Sequence, residues 1–167
     1  ASSFKSNLTK KIVFGDWITI DENDNLIERE YAFDFNIRHL TFEGFQCNAQ
    51  AMFWSRDVHD KFGFFDEKLH RTMDYEMMVR FGLQQSSKSF LRIDQVLGAF
   101  RRHCDQKTSG FDLAVVKEHR YIDQKYLLRK FTPRSSLFRY IYRFRRLYWY
   151  LKRGGFNYLL KKMKLVS

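Results

Sequence analysis

The side chains with the most chemistry on offer stand in two short runs. In T-M-D-Y-E, Asp74 precedes Glu76 by two positions, and in R-R-H, Arg101 and Arg102 lie beside His103. A carboxylate can take the proton of an attacking hydroxyl. Arginine is shaped for bidentate contact with phosphate. Each residue also has a plainer reading. Asp74, at the start of a helix, reads as an N-cap whose oxygen is taken by the backbone N–H of Glu76 or Met77. A helix N-terminus would also favour its ionised form and lower its proton affinity. Glu76 reads either as a solvated helix carboxylate or as a group that touches an acceptor. A lone His103 makes no metal site without an acidic pair to join. Gln50, bracketed by alanines in an apolar run, would be costly to bury without partners, which points to a polar ligand or network. Trp54 reads as core or as an aromatic platform. Asp66 in G-F-F-D-E reads as the organiser of the turn between Gly63 and Leu69.

The elements that must position these groups follow from pattern. Lys11 to Ile20 is rich in β-branched and aromatic types and predicts a strand, with Gly15 at a bend or bulge. Asp21 to Asn25 is a turn, and Leu26 to Phe33 returns as a second strand. Asp21 and Asp24 resemble a carboxylate metal motif, but side chains bonding backbone N–H groups are reason enough for them there. Phe35 to Gly44 predicts a loop or short helix. Ala49 to Trp54 predicts a central strand buried on both faces. Ser55 is a cap, Asp57 sits in the first helical turn, and Gly63 ends that helix. Asp74 opens the next, with Tyr75, Met77, Met78 and Phe81 turned inward. Gln84 to Ser89 is a polar loop, and Phe90 to Phe100 gives one or two strands broken near Asp94-Gln95. Gly110 to about Lys130 is helical.

Thr132-Pro133 starts a last helix. Leu137, Ile141, Phe144, Tyr148 and Leu151 form one stripe on it, and Arg139, Arg143, Arg146 and Arg153 the opposite one. Gly154-Gly155 breaks it, and Phe156 to Val166 is a second amphipathic piece. Residues 1–131 are thus read as one domain and 132–167 as a basic, aromatic helical tail. The net charge of +11 comes from that tail: residues 129–167 hold 12 Lys and Arg and no acid, leaving 18 bases against 19 acids in the rest. A nucleic-acid binder would more often spread its cations over a folded face, so no nucleic acid is expected as partner. The tail suits a helix lying in an anionic membrane surface. Its alternative is to pack the apolar stripe on the domain and leave the arginines in water. Cys47 and Cys104 make no metal or secretory spacing and read as reduced thiols of a cytosolic protein. No apolar run reads as a signal peptide or a membrane span.

The runs Q-A-M-F-W-S-R-D-V, G-F-F-D-E-K-L and M-D-Y-E-M-M-V-R, in that order between Gln46 and Leu83, closely resemble the acceptor-side half of family-2 glycosyltransferases of the GT-A fold. Gly15-Asp16-Trp17 and the loop from Arg101 to Ser109 resemble flanking segments of the same family. Ser55 departs from the pattern's first arginine, and Glu76 and Met78 stand where it prefers Asp and Trp. The resemblance covers roughly Ile12 to Gly110. It implies an α/β fold, the C-terminal part of a GT-A (Rossmann-like) domain. It also implies an inverting transfer of sugar from a nucleotide-sugar donor to a saccharide or lipid-linked acceptor. Asp74 would be the base, and His103 with Arg101 or Arg102 the diphosphate side. Gln50, Trp54 and Glu76 would form the acceptor wall. A divalent metal, Mg²⁺ or Mn²⁺, is implied with His103 as a contact, held mainly by an Asp-x-Asp half that should precede residue 1. The chain is therefore expected to be incomplete and inactive alone, peripheral at the inner face of the cell membrane. A non-catalytic membrane assembly module and a basic nucleic-acid binder are the alternatives.

Overall fold

The computed structural model describes residues 11–44, 47–85, 87–103, 112–128 and 133–164. Cys104, the rest of the loop to Ser109, and the Thr132 cap lie outside them. The fold is α/β, built on a mixed four-stranded sheet. Its axis is β1 (Ile12–Ile20), along which β4 (Phe90–Arg101) runs parallel from Ile12↔Phe90 to Ile20↔Arg101. The other edge of β1 is shared end to end. Antiparallel β2 (Leu26–Glu30) pairs with Trp17 to Ile20, and antiparallel β3 (Met52–Trp54) pairs with Ile12 to Phe14.

The central strand is therefore β1, not the stretch from Ala49 to Trp54. There Asn48 accepts a hydrogen bond from the Gln50 N–H at 3.0 Å and caps a 3₁₀ turn over Ala49–Ala51. Only three residues of that stretch remain as strand, at the edge, with Met52 buried and Phe53 half exposed. The predicted break in β4 is absorbed without ending the strand. Its pairing jumps from Gly15↔Ile93 to Asp16↔Val96 to Trp17↔Gly98, so Asp94 and Gln95 bulge out. Gly15 permits this, since a Cβ there would sit 2.6 Å from the Gln95 carbonyl oxygen.

Gly98 plays a second such part. A Cβ at this position would stand 2.3 Å from the Gln50 carbonyl oxygen, so the 3₁₀ turn rests directly on the β4 backbone. Gly98→Ala is expected to push that turn away and destabilise the fold by about 1–3 kcal/mol, the usual cost of overpacking. Thermal melting checks the cost, and the Gln50 side-chain amide resonances report the displacement.

Short helices α1 (Ile37–Glu43) and α2 (Arg56–Phe62) flank α3 (Met73–Gln84), which is buried from Tyr75 to Gly82. Tyr75, Met77, Met78 and Phe81 all join the core, with Ile12 and Phe14 of β1 and Ile122 of α4 (Leu113–Lys125). α2 ends at Gly63 with φ 88°, the left-handed stop predicted for it. Ser55 precedes α2 but makes no side-chain capping bond. The Asp21 turn has its local reason, as Asp21 Oδ1 accepts from the N–H groups of Asn23 and Asn25 at 2.8 Å each.

α5 (Pro133–Lys164) bends at Gly155, φ 76°, where the glycine pair predicted a break. It packs on α1 and on the face of β1 and β2, and the side it turns inward is the cationic one. Arg146 meets Glu43 at 3.2 Å, Arg153 meets the fully buried Asp16 at 2.9 Å, and Lys162 meets Glu28 and Glu30 at 3.2 and 2.5 Å. Tyr142 stacks over Phe42 and His39, and Tyr158 donates to Glu30 at 2.8 Å. The alternative in which the apolar stripe packs on the domain is thus not what is seen: the stripe faces outward, and of the arginine stripe Arg146 and Arg153 turn inward while Arg139 and Arg143 stay exposed. The acids of β1, β2 and α1 line the landing face, so the arginines and not the leucines fit it.

Candidate functional site

A cavity of about 670 Å³ opens where the C-terminal end of β4 meets the N-terminus of α3. This is where open α/β sheets place ligands, outside the carboxyl ends of parallel strands, and its volume suits a small-molecule site. Gln50, Asp74, Arg101 and His103 all line it. They come from the 3₁₀ turn, α3, the end of β4 and the residues just after it.

Asp74 is the second residue of α3, not its cap. Thr72 holds the cap position, and Asp74 Oδ1 accepts from the neighbouring Tyr75 N–H at 2.8 Å. Burial pushes the Asp74 carboxyl above the usual carboxylate range, outweighing the hydrogen bonds from the backbone of Tyr75 and of Asp74 itself and the charge of His119. The helix terminus was expected to act in the opposite sense. Desolvation wins, and a carboxylate destabilised in this way is a better proton acceptor.

Gln50 reaches the cavity but is exposed at its rim, so the predicted burial is absent. The 3₁₀ turn, in place of a strand, swings it out. Arg101 is held by the β1–β2 turn, donating to the carbonyls of Asp21 and Glu22 at 3.1 Å and pairing with Asp24 at 2.5 Å. The turn thus fixes one wall of the cavity. Arg102 does not line it; its side chain is exposed and its N–H bonds the Ile20 carbonyl at 2.8 Å.

Trp54 and Glu76 fall elsewhere. Trp54 packs against the core and donates through Nε1 to His59 Nε2 at 2.6 Å. Phe65 and Phe100 line the cavity instead, Phe65 set edge-on to Trp54 at 6.3 Å. Glu76 is fully buried, bonded to Arg80 at 3.1 Å, Lys125 at 3.0 Å and the Tyr126 hydroxyl, so it has no acceptor to touch. Asp66 takes its turn-organising part, accepting from the Lys68 N–H at 3.1 Å and pairing with Lys125 at 2.9 Å.

Sequence reasoning passed over Phe65, His70 and Arg71 on the cavity wall. A pair of basic residues, separated from M-D-Y by Thr72 alone, was the available signal. Their backbone is fixed by Glu118 of α4, whose carboxylate accepts from the N–H groups of His70, Arg71 and Thr72 at 2.9–3.0 Å and from the Thr72 hydroxyl at 2.9 Å. Burial raises the Glu118 carboxyl, but these bonds outweigh it and hold it below the ordinary value. Arg71 also meets Asp112, the α4 cap, at 3.2 Å. α4 therefore secures the loop that carries the cavity's cationic wall and leads into Asp74.

Cys47 is a buried free thiol beside Met52, and burial with the charge of Asp74 pushes it up, keeping it protonated. Among the described residues no three His, Cys, Asp or Glu side chains converge to hold a metal ion. The cavity is lined by a carboxylate, two arginines, two histidines and two phenylalanines, Phe65 and Phe100. That set can hold an anionic ligand against a flat, partly apolar one while a carboxylate receives a proton. No protein-family model matches the chain, and no curated protein matches it.

Proposed function

We propose that this cavity is the acceptor side of an inverting glycosyltransferase site of the family-2, GT-A type. The observation that carries the reading is the meeting of Gln50, Asp74, Arg101 and His103, named from sequence, around one cavity. Asp74 takes the proton of the acceptor hydroxyl as its oxygen bonds the anomeric carbon and the bond from that carbon to the nucleoside diphosphate breaks. Arg101 and His103 face the negative charge that gathers on the departing diphosphate. Phe65 receives a face of the acceptor sugar, in the part first given to Trp54, and Gln50 bonds a hydroxyl at the rim. A divalent metal, Mg²⁺ or Mn²⁺, belongs to the same reading through residues outside those described. No step here is routed through it. The acceptor is a saccharide or lipid-linked saccharide, and the setting is the cytoplasmic face of the cell membrane, met peripherally. No described helix is long and apolar enough to cross a membrane.

The test is saccharide binding by the 167-residue chain, followed by calorimetry across a panel of oligosaccharides. Phe65→Ala is expected to weaken binding about tenfold through loss of the ring contact, with the melting temperature little changed because Phe65 is partly exposed. A chain that binds no saccharide, or binds as well without the ring, would sink the acceptor reading.

A further inference from the structure

The face of α5 turned away from the domain carries the whole predicted apolar stripe. Leu137, Ile141, Phe144, Tyr148 and Leu151 are all exposed, Phe144 by 70%. Past the bend, Phe156, Leu160 and Met163 are exposed as well. From Leu137 to Leu151 it runs about 21 Å at the helical rise per residue. A contiguous apolar band of that length on a soluble surface marks a contact site.

The helix cannot roll over to bury it. Rolling would pull Arg153 from Asp16, which has no exposure of its own, and leave a buried carboxylate with one partner fewer. The domain therefore fixes which face looks outward.

What covers that face follows from the charge beside it. Arg143, Arg145 and Lys152 are exposed, and no acid occurs anywhere in residues 129–167. At the helical pitch Arg145 and Lys152 lie roughly 60–80° around the helix from the stripe's midline, where headgroups meet a helix sunk to its apolar edge. A second copy of the chain would set these cationic rows against each other with no acid between them. A nucleic acid would use the cations but leave the stripe in water.

We infer that the outer face of α5 lies in an anionic lipid surface, with Leu137, Ile141, Phe144 and Leu151 in the acyl boundary and Arg145 and Lys152 among the headgroups. The two faces of the helix divide the work. Arg146, Arg153 and Lys162 latch it to the domain, and the apolar stripe meets the lipid. Membrane contact thus comes mainly from apolar insertion, and the exposed cations set the preference for anionic headgroups. This inference stands on the helix alone and does not rest on the sugar-transfer reading. Vesicle binding needs neither donor nor acceptor, so either reading can fail without the other.

The experiment is flotation of the full chain with vesicles of phosphatidylcholine and phosphatidylglycerol. The wild-type chain is expected to float. Ile141→Glu with Phe144→Glu is expected to lower the bound fraction at least about tenfold, with circular dichroism and melting little changed because both side chains are exposed. A second pair, Leu137→Glu with Leu151→Glu, decides the matter should the first pair fail to fold. A wild-type chain that stays in the soluble fraction overturns the inference, as does a variant that floats equally well. So does a wild-type dimer that the variant converts to a monomer without any vesicle binding, or RNA binding that the glutamates leave intact in a chain that ignores vesicles.

Discussion

Asp74→Asn is expected to abolish sugar transfer and, at the same time, to make the fold more stable at neutral pH. The first effect follows from removing the proton acceptor while keeping its shape, since asparagine can still accept from the Tyr75 N–H. A positioned general base contributes roughly 10²–10⁴ in rate. The measurement is transfer from a labelled nucleotide sugar by a polypeptide carrying this chain with its donor-binding segment. Unchanged transfer would point to the non-catalytic assembly module instead. The second effect follows from burial, which raises the Asp74 carboxyl above its ordinary value of 3.8. A group with a raised folded-state value favours the fold in its protonated form. That contribution is fully present below the unfolded value and is lost as pH rises through the folded one. At pH 7 the wild-type chain therefore carries an unfavourable buried charge that the asparagine lacks. The variant should melt higher at pH 7, and its advantage should vanish below about pH 3.8. The acid limb of the transfer rate should also sit above the ordinary carboxylate range. A variant that melts lower at pH 7 would mean that Asp74 holds the fold together, as a structural residue would.

The same two forces separate what was legible in the sequence from what was not. β1, the irregular pairing at Gly15, the stop at Gly63, the inward face of α3 and the break at Gly154-Gly155 depend on local pattern and backbone freedom, and each was readable. The position of Ala49 to Trp54 was not. Its apolar run looks like a buried strand, but the cap supplied by Asn48 and the close seat on Gly98 are decided by a neighbour far along the chain. Four of the named site residues share one cavity, because the ends of strands and helices that carry them are gathered by the sheet. Trp54 and Glu76 were misplaced for a different reason. Residue type tells that an aromatic ring and a carboxylate are present, but only packing tells that Phe65 stands before Trp54 and that Arg80 and Lys125 enclose Glu76. The tail shows the limit most plainly. Both of its stripes were visible, but which one faced the domain depended on Asp16, Glu28, Glu30 and Glu43, acids from three elements that no periodicity in the tail could report.

Arg80→Met is expected to be the most destabilising of the substitutions considered, at about 3–5 kcal/mol, the range for breaking a buried ion pair from one side. Arg80 is nearly buried and pairs with Glu76, which has no exposure at all. Its guanidinium also donates to the carbonyls of Phe62, of Gly63 at 2.9 Å and of Phe64 at 2.7 Å. These carbonyls lie at and just past the end of α2, and an arginine can donate to them where a methionine cannot. Methionine keeps most of the volume, so the loss reports charge and hydrogen bonding more than a void. Lys125 and the Tyr126 hydroxyl remain with Glu76, which sets the expected value toward the lower end of the range. For a chain of this size the melting temperature should fall by roughly 10 °C. The acid side gives an independent check. Burial raises the Glu76 carboxyl, but the bonds from Arg80, Tyr126 and Lys125 outweigh it and hold it below its ordinary value of 4.5. A lowered folded-state value means stability that is present above 4.5 and lost as pH falls through the folded value. The wild-type chain should lose this contribution only on acidification below 4.5, and Arg80→Met should flatten that part of the stability curve. The turn released from Arg80 carries Phe65, so saccharide binding should weaken at temperatures well below the variant's melting point. A variant that melts like the wild type would show that the pair offsets only its own desolvation, and that α2 and the Phe65 turn are held by packing alone.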